Sequence, residues 1–157
     1  MNDSPDTPAR VDLSGEPVHW DLGSSQSYGE YLQIRTLLSA QKTISDAHDE
    51  VMFITVHHVS ELWIRLMLHE LELVRDCVVR DNLDPSFKAL QRIARVQSQL
   101  FGVWEVLATM SPSDYMTFRN LLGRSSGFQS AQYRLLEFSL GNKNADMIRV
   151  HERSPED

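Results

Sequence analysis

The chain has 157 residues, a single cysteine and a formal net charge of −7, with 41% hydrophobic and 24% charged residues. That length fits one domain, with enough apolar surface to fold without disulfides or a structural metal. The acidic balance argues against nucleic acid as a partner. Cys77 alone excludes an intrachain disulfide scaffold, and no unbroken apolar run approaches the roughly 18 residues of a membrane span.

Residues 1–26 carry Pro5, Pro8 and Pro17 among Asp, Ser and Gly. They read as a poorly ordered arm and lack the basic start and apolar stretch of a secretory signal. The expectation is a cytoplasmic protein with no membrane partner. Residues 27–142 are helical in pattern and form the expected domain. Residues 143–157 are polar and end in Ser154-Pro155-Glu156-Asp157, the composition of a tail.

Within the domain the helices announce their starts. Ser27-Tyr28-Gly29-Glu30 fits a capping box and predicts one helix carrying Tyr31, Leu32, Leu37 and Leu38. A longer helix is predicted from His48-Asp49 to about Arg80-Asp81. Val59, Leu62, Trp63, Leu66 and Leu71 form its stripe, with Glu61 and Arg65 paired four residues apart on its outside. Asp84-Pro85 predicts a third start, with Asp as cap and Pro at the first helical position. Its stripe is Leu90, Ile93, Gln97, Leu100, Phe101, Trp104 and Leu107. Ser111-Pro112-Ser113-Asp114 opens a short fourth helix that Gly123 stops. Ser126-Gly127-Phe128-Gln129 is a second capping box, opening a fifth helix that ends at Gly141. No useful segment alternates with period two, so the expected fold is all-α, a bundle of long helices with short connections.

Six histidines are candidates for chemistry. The only Glu-x-x-His spacing runs from Glu16 to His19, in the arm, so no diiron carboxylate bundle is indicated. His57 and Glu61 lie one turn apart, but Glu61 is more simply the partner of Arg65. His57 follows Phe53 by one turn on an apolar face, where periodicity alone favours a core histidine over a catalyst. Tyr115 and Arg119 are one turn apart beside Phe118. An arginine so placed can hold a carboxylate by its fork, stack on a neighbour or face solvent. The small-residue run Gly123 to Gly127 leads into a helix start and lacks the Gly-Lys-Ser/Thr of a P-loop.

Taken together, ordered blocks across about Tyr28 to Asn144 resemble the tryptophan 2,3-dioxygenase family. They are Tyr-Gly-Glu-Tyr-Leu at 28–32, Leu-Leu-Ser-Ala-Gln at 37–41, His-Asp-Glu at 48–50 and Met-Phe-Ile at 52–54. His57, Ser-Glu-Leu-Trp at 60–63, His-Glu-Leu at 69–71 and Trp104 follow. Ser-Pro-Ser-Asp-Tyr-Met at 111–116, Phe118-Arg119, Ser-Ser-Gly-Phe-Gln-Ser at 125–130, Gln-Tyr-Arg at 132–134 and Leu-Gly-Asn-Lys at 140–143 complete the set.

The resemblance implies a cytoplasmic, all-α, haem-dependent homotetramer. Such an enzyme inserts dioxygen across the indole C2–C3 bond of L-tryptophan, giving N-formylkynurenine in tryptophan catabolism. It implies His57 as acceptor for the indole N–H, Phe53 against the indole, Arg119 on the substrate carboxylate and Tyr115 closing the pocket. Tyr28, Tyr31 and Leu32 would reach a neighbouring subunit's pocket, and Trp104, Ser126 and Gly127 would lie near the haem. Arg124 stands where the family's loops usually carry proline, and Val56 where a polar residue is usual. No metal ligand is assigned within the chain: the family's proximal histidine is expected on helices beyond it, and His151 has no surrounding motif. The expected reading is a truncated dioxygenase. The alternative is a catalytically silent helical oligomerisation module, or an indole-binding module lacking haem.

Overall fold

The computed structural model describes residues 26–150, so the proline-containing arm, the Glu16–His19 spacing and His151 lie outside the described residues. The chain divides into two compact units, Met1–Ala40 and Gln41–Asp157. The described residues are helical, with no strand among them.

In the first unit, Ser27 and Glu30 form the expected capping box: Ser27 Oγ accepts from the Glu30 amide, and Glu30 Oε2 accepts from the Ser27 amide. The single helix expected there is instead two, α1 (Tyr28–Tyr31) and α2 (Ile34–Ser39). Gln33 breaks it with a left-handed backbone, φ +52°. Its side chain donates to the Glu30 carbonyl at 2.6 Å, taking an acceptor that a continuing helix would use. Tyr28, Tyr31 and Leu32 are exposed.

The second unit is built on α3 (Asp49–Val79) and α4 (Asp84–Leu107). Asp49 and Glu50 occupy the first turn of α3, where negative charge suits the helix dipole. The far end closes as a Schellman turn. Asp81 takes φ +52°, its amide donates to the Val78 carbonyl at 3.2 Å, and the Asn82 amide reaches the Cys77 carbonyl at 2.9 Å. A tight connection then returns the chain as α4. Asp84 is not the cap expected. It is the first helical residue, Leu83 precedes it, and the Ser86 amide and hydroxyl both turn back to the Leu83 carbonyl.

The core joins Ile64 and Met67 of α3, Ile93 and Val96 of α4 and Leu136, with Trp63, Leu66, Leu71, Val74 and Leu100 packed against it. Burying each such side chain contributes about 1.5–3 kcal/mol. The stripe expected on α4 mixes two faces. Ile93 is buried and Leu100 and Leu107 are half-buried, but Leu90, Gln97, Phe101 and Trp104 are exposed. The inward face is Ser86, Ala89, Ile93 and Val96. By length and mean hydropathy α3 could reach across a bilayer. Here it is the helix against which α4, α5 and α6 pack.

Ser111 and Asp114 cap α5 (Pro112–Arg119) reciprocally. The last turn tightens into a 3-10 segment, Asn120–Leu122, and Gly123 ends it at φ +59°. The second capping box forms between Ser126 and Gln129, but it opens only one 3-10 turn, Gly127–Gln129. The helix expected there begins later, as α6 (Ala131–Ser139), with Ser130 as its cap. Gly141 ends it at φ +100°. Ala145–Val150 then winds into a 3-10 segment.

Two polar links tie the helices together. The buried Glu70 carboxylate accepts from Arg92, joining α3 to α4. Glu61 does not pair with Arg65 as expected. Gln132 of α6 donates to its carboxylate at 2.8 Å and to its carbonyl at 3.3 Å.

Candidate functional site

The N-terminal third of α3 meets α5 through aromatic rings. Phe53 and His57 sit one turn apart, ring centroids 4.2 Å from each other. Phe53 is 5.7 Å from Tyr115 and 5.5 Å, edge-on, from Phe118. Tyr115 and Phe118 pack at 90° and 5.5 Å. Phe118 is fully buried and anchors the group.

The His57 ring has a fixed orientation. Its Nδ1 lies 2.7 Å from the Phe53 carbonyl oxygen. A carbonyl only accepts, so Nδ1 carries the proton and Nε2 of the neutral ring is left as an acceptor.

A cleft of about 240 Å³ opens beside this pair. Phe53, Ile54 and His57 line it from α3, with His58 and Leu122; Lys42 and Ile44 come from the segment before the helix, and Glu50 from its first turn. The cleft is apolar for the most part, with a few polar groups, as small-molecule sites are. The Nδ1 of His58 is buried without a hydrogen-bond partner. A larger recess of about 470 Å³ is lined by Asp46, Asp49 and Asp114 among others. Three carboxylates make it unsuited to an anionic ligand.

Glu50 is 1% exposed. Its carboxylate accepts from the Ile44 amide at 2.7 Å, the Ser45 amide at 2.8 Å and the Ser45 hydroxyl. Burial acts to raise its pKa, but these three donors outweigh it and hold the carboxyl below the ordinary value of 4.5.

The structure therefore brings Phe53, His57 and Tyr115 together. Arg119 shares α5 with Tyr115, but its guanidinium donates to the Gly123 carbonyl at 3.0 Å and does not line the cleft. Trp104 is 67% exposed, and Ser126 and Gly127 are exposed too. None of the three lines the cleft. Sequence reasoning missed Lys42, Ile44, Glu50, Ile54, His58 and Leu122 as lining residues. The signal for Glu50 was an acid in a helix's first turn, which reads equally as a dipole partner.

A family model described as tryptophan 2,3-dioxygenase matches residues 14–156. The tryptophan 2,3-dioxygenase of Erythrobacter litoralis (strain HTCC2594) is 56% identical over 135 residues, covering 86% of this chain and 51% of that protein. That of Bacillus thuringiensis (strain Al Hakam) is 48% identical over 139 residues, 88% of this chain and 50% of the relative. Tryptophan 2,3-dioxygenase 1 of Ralstonia nicotianae (strain ATCC BAA-1114 / GMI1000) is 48% identical over 163 residues, 97% and 55%. The chain spans about half the length of the curated relatives it matches.

Proposed function

The chain belongs to the tryptophan 2,3-dioxygenase family, and on that premise we propose that it supplies the substrate-binding side of an enzyme that opens the indole ring of L-tryptophan. Dioxygen is the co-substrate, N-formylkynurenine the product and the cytoplasm the setting. The observation that carries the reading is the Phe53–His57 pair beside its cleft: a flat ring surface next to an imidazole that, in its neutral form, offers Nε2 as an acceptor. An indole presents the complement, an aromatic face and one N–H donor. Leaving that donor unpaired on burial would cost about 1–3 kcal/mol.

The other roles follow from chemistry. Phe53 stacks on the indole, and Tyr115 and Phe118 hold Phe53 in place and exclude water. Arg119 spends one guanidinium donor on Gly123 and retains others for the substrate carboxylate. The exposed rings of Tyr28 and Tyr31, with Leu32, suit insertion into a neighbouring subunit of a homotetramer.

Haem is the implied cofactor. Trp104 offers an exposed apolar face for a flat macrocycle. Ser126 Oγ accepts from the Phe128 amide, and its own hydroxyl proton has no acceptor among the described hydrogen bonds. These residues fit the edge of a haem and contain no iron ligand. When bound, haem supplies the activation of dioxygen. The protein's part is to place the indole and hold its N–H proton on His57 Nε2.

The test is an NMR titration of the chain with L-tryptophan. Shifts at Phe53, Ile54 and His57 are expected, and His57→Ala should weaken binding roughly tenfold without lowering Tm. No response at these residues sinks the substrate role. Haem titration read by absorbance separates the haem-dependent reading from an indole-binding module that takes up no haem.

A further inference from the structure

Glu50 is a buried acid with no cation among its partners. Carboxylates this far from solvent are ordinarily paired with Arg or Lys. Here every donor comes from the short segment before α3: the amides of Ile44 and Ser45 and the Ser45 hydroxyl. The Ser45 oxygen in turn accepts from the Ala47 amide at 3.2 Å, so the bonds close into a local knot. Among the described hydrogen bonds, those that join residues 41–46 to α3 all end on Glu50. The segment has no helix of its own, and it carries Lys42 and Ile44 to the cleft that Phe53 and His57 line. Ile44 is a branched apolar side chain, 57% exposed, whose own amide is the one Glu50 grips at 2.7 Å.

We propose that Glu50 is a positioning residue of the tryptophan site, fixing the Ile44–Ser45 backbone so that the Ile44 side chain forms a set wall of the cleft and limits the size of the ring admitted. The proposal rests on the substrate reading above. Glu50 acts through the loop and does not touch the indole. A β-branched side chain on a tethered backbone is stiff, so a ring bearing an extra substituent meets a wall that does not yield. The same wall on a free loop would move aside.

Three variants test this in the full chain: Glu50→Gln, Ser45→Ala and Ile44→Ala. The readouts are amide hydrogen exchange at Ile44 and Ser45, the Kd values for L-tryptophan and 5-bromo-L-tryptophan by NMR titration, and Tm. Glu50→Gln keeps one acceptor oxygen and turns the other into an NH2 donor, so one of the two amides faces a donor and the other a neutral, weaker acceptor. It should speed exchange at both amides, most at the one facing the new donor, and weaken L-tryptophan roughly tenfold. It should also narrow the preference for L-tryptophan over the bromo compound by about threefold or more, since pocket fit discriminates on that scale. Ile44→Ala should narrow the same preference while the Ser45 amide stays protected. A generally loosened fold would weaken both ligands alike and leave the ratio unchanged. If Glu50→Gln does not fold, Ser45→Ala removes one of the three bonds with the carboxylate in place, and the same narrowing is expected in smaller measure. Freed amides with an unaltered ratio would overturn the positioning role, and an unaltered ratio in Ile44→Ala would overturn the wall. If the wild-type chain shows no response to L-tryptophan, the substrate reading fails and the positioning role with it. A response that Glu50→Gln leaves untouched refutes the positioning role alone.

Discussion

The two ends of α3 are held by different forces. From Ile64 to Cys77 the helix buries Ile64, Met67 and Cys77, with α4 and α6 packed along it. From Glu50 to His57 it is held by hydrogen bonds to the preceding segment and by rings stacked from α5. Apolar packing is non-directional and tolerates small shifts; hydrogen bonds and ring geometry fix atoms to a fraction of an ångström. On the substrate reading proposed above, a helix that is stable at one end and geometrically exact at the other separates folding from binding. Substitutions at the two ends should therefore move different observables.

Met67→Ala breaks the packed end most sharply. Met67 is 1% exposed within the core cluster, and its truncation should cost about 2–5 kcal/mol. Thermal denaturation reads this directly. Tryptophan affinity of the folded fraction should not change, and a matching loss of affinity would collapse the comparison.

Arg92→Ala addresses the ion pair that joins α3 to α4 in that packed region. Arg92 itself is half exposed, but it is the partner of the buried Glu70 carboxylate, whose Oε2 already lacks a hydrogen bond. Removing the guanidinium leaves the acid without its cation, and a loss of about 1–3 kcal/mol is expected in urea denaturation. Arg92→Met should recover little, because the cost lies in the abandoned carboxylate and not in the arginine's packing.

The packed end was legible in part: the α3 stripe read from periodicity holds Trp63, Leu66 and Leu71, which pack against the core, but not Ile64 and Met67, which form it, and its Leu62 is exposed. Caps at Ser27 and Ser111 and the stop signals at Gly123 and Gly141 are local chemistry, readable within four or five residues. Where several local solutions were open, tertiary contacts chose among them. Both faces of α4 are apolar, so a 3.6-residue period could not say whether Phe101 and Trp104 or Ala89 and Val96 turn inward. Glu61 had a helical partner in Arg65 at the right spacing, but Gln132, 71 residues away, holds it instead. At the site, Phe53, His57 and Tyr115 came from the resemblance and do converge in space. The cleft's other wall was invisible. The bonds from Ile44 and Ser45 to Glu50 cross a segment without periodicity, and only the fold reveals where a buried acid points.

The smallest effect expected is on pH dependence, and it probes the exact end alone. The folded-state pKa of Glu50 lies below 4.5, because the donors from Ile44 and Ser45 outweigh burial. A depressed carboxyl contributes stability that is complete above the unfolded value and is lost as pH falls through the folded one. Protection of the Ile44 and Ser45 amides, measured against the pH-dependent intrinsic exchange rate, should therefore be flat above about pH 5 and fall in acid below 4.5, while Met67 and Ile93 stay protected over the first part of that fall. Lys42, His57 and His58 line the same cleft, so the series must be run beside Glu50→Gln. In that variant the acid-dependent loss should vanish, since the amides at 44 and 45 are already poorly protected at neutral pH. If the loss of protection persists unchanged, it does not come from Glu50. The hydrogen-bonded end of α3 would then owe its shape to the rings of Phe53, Tyr115 and Phe118 and not to its buried acid.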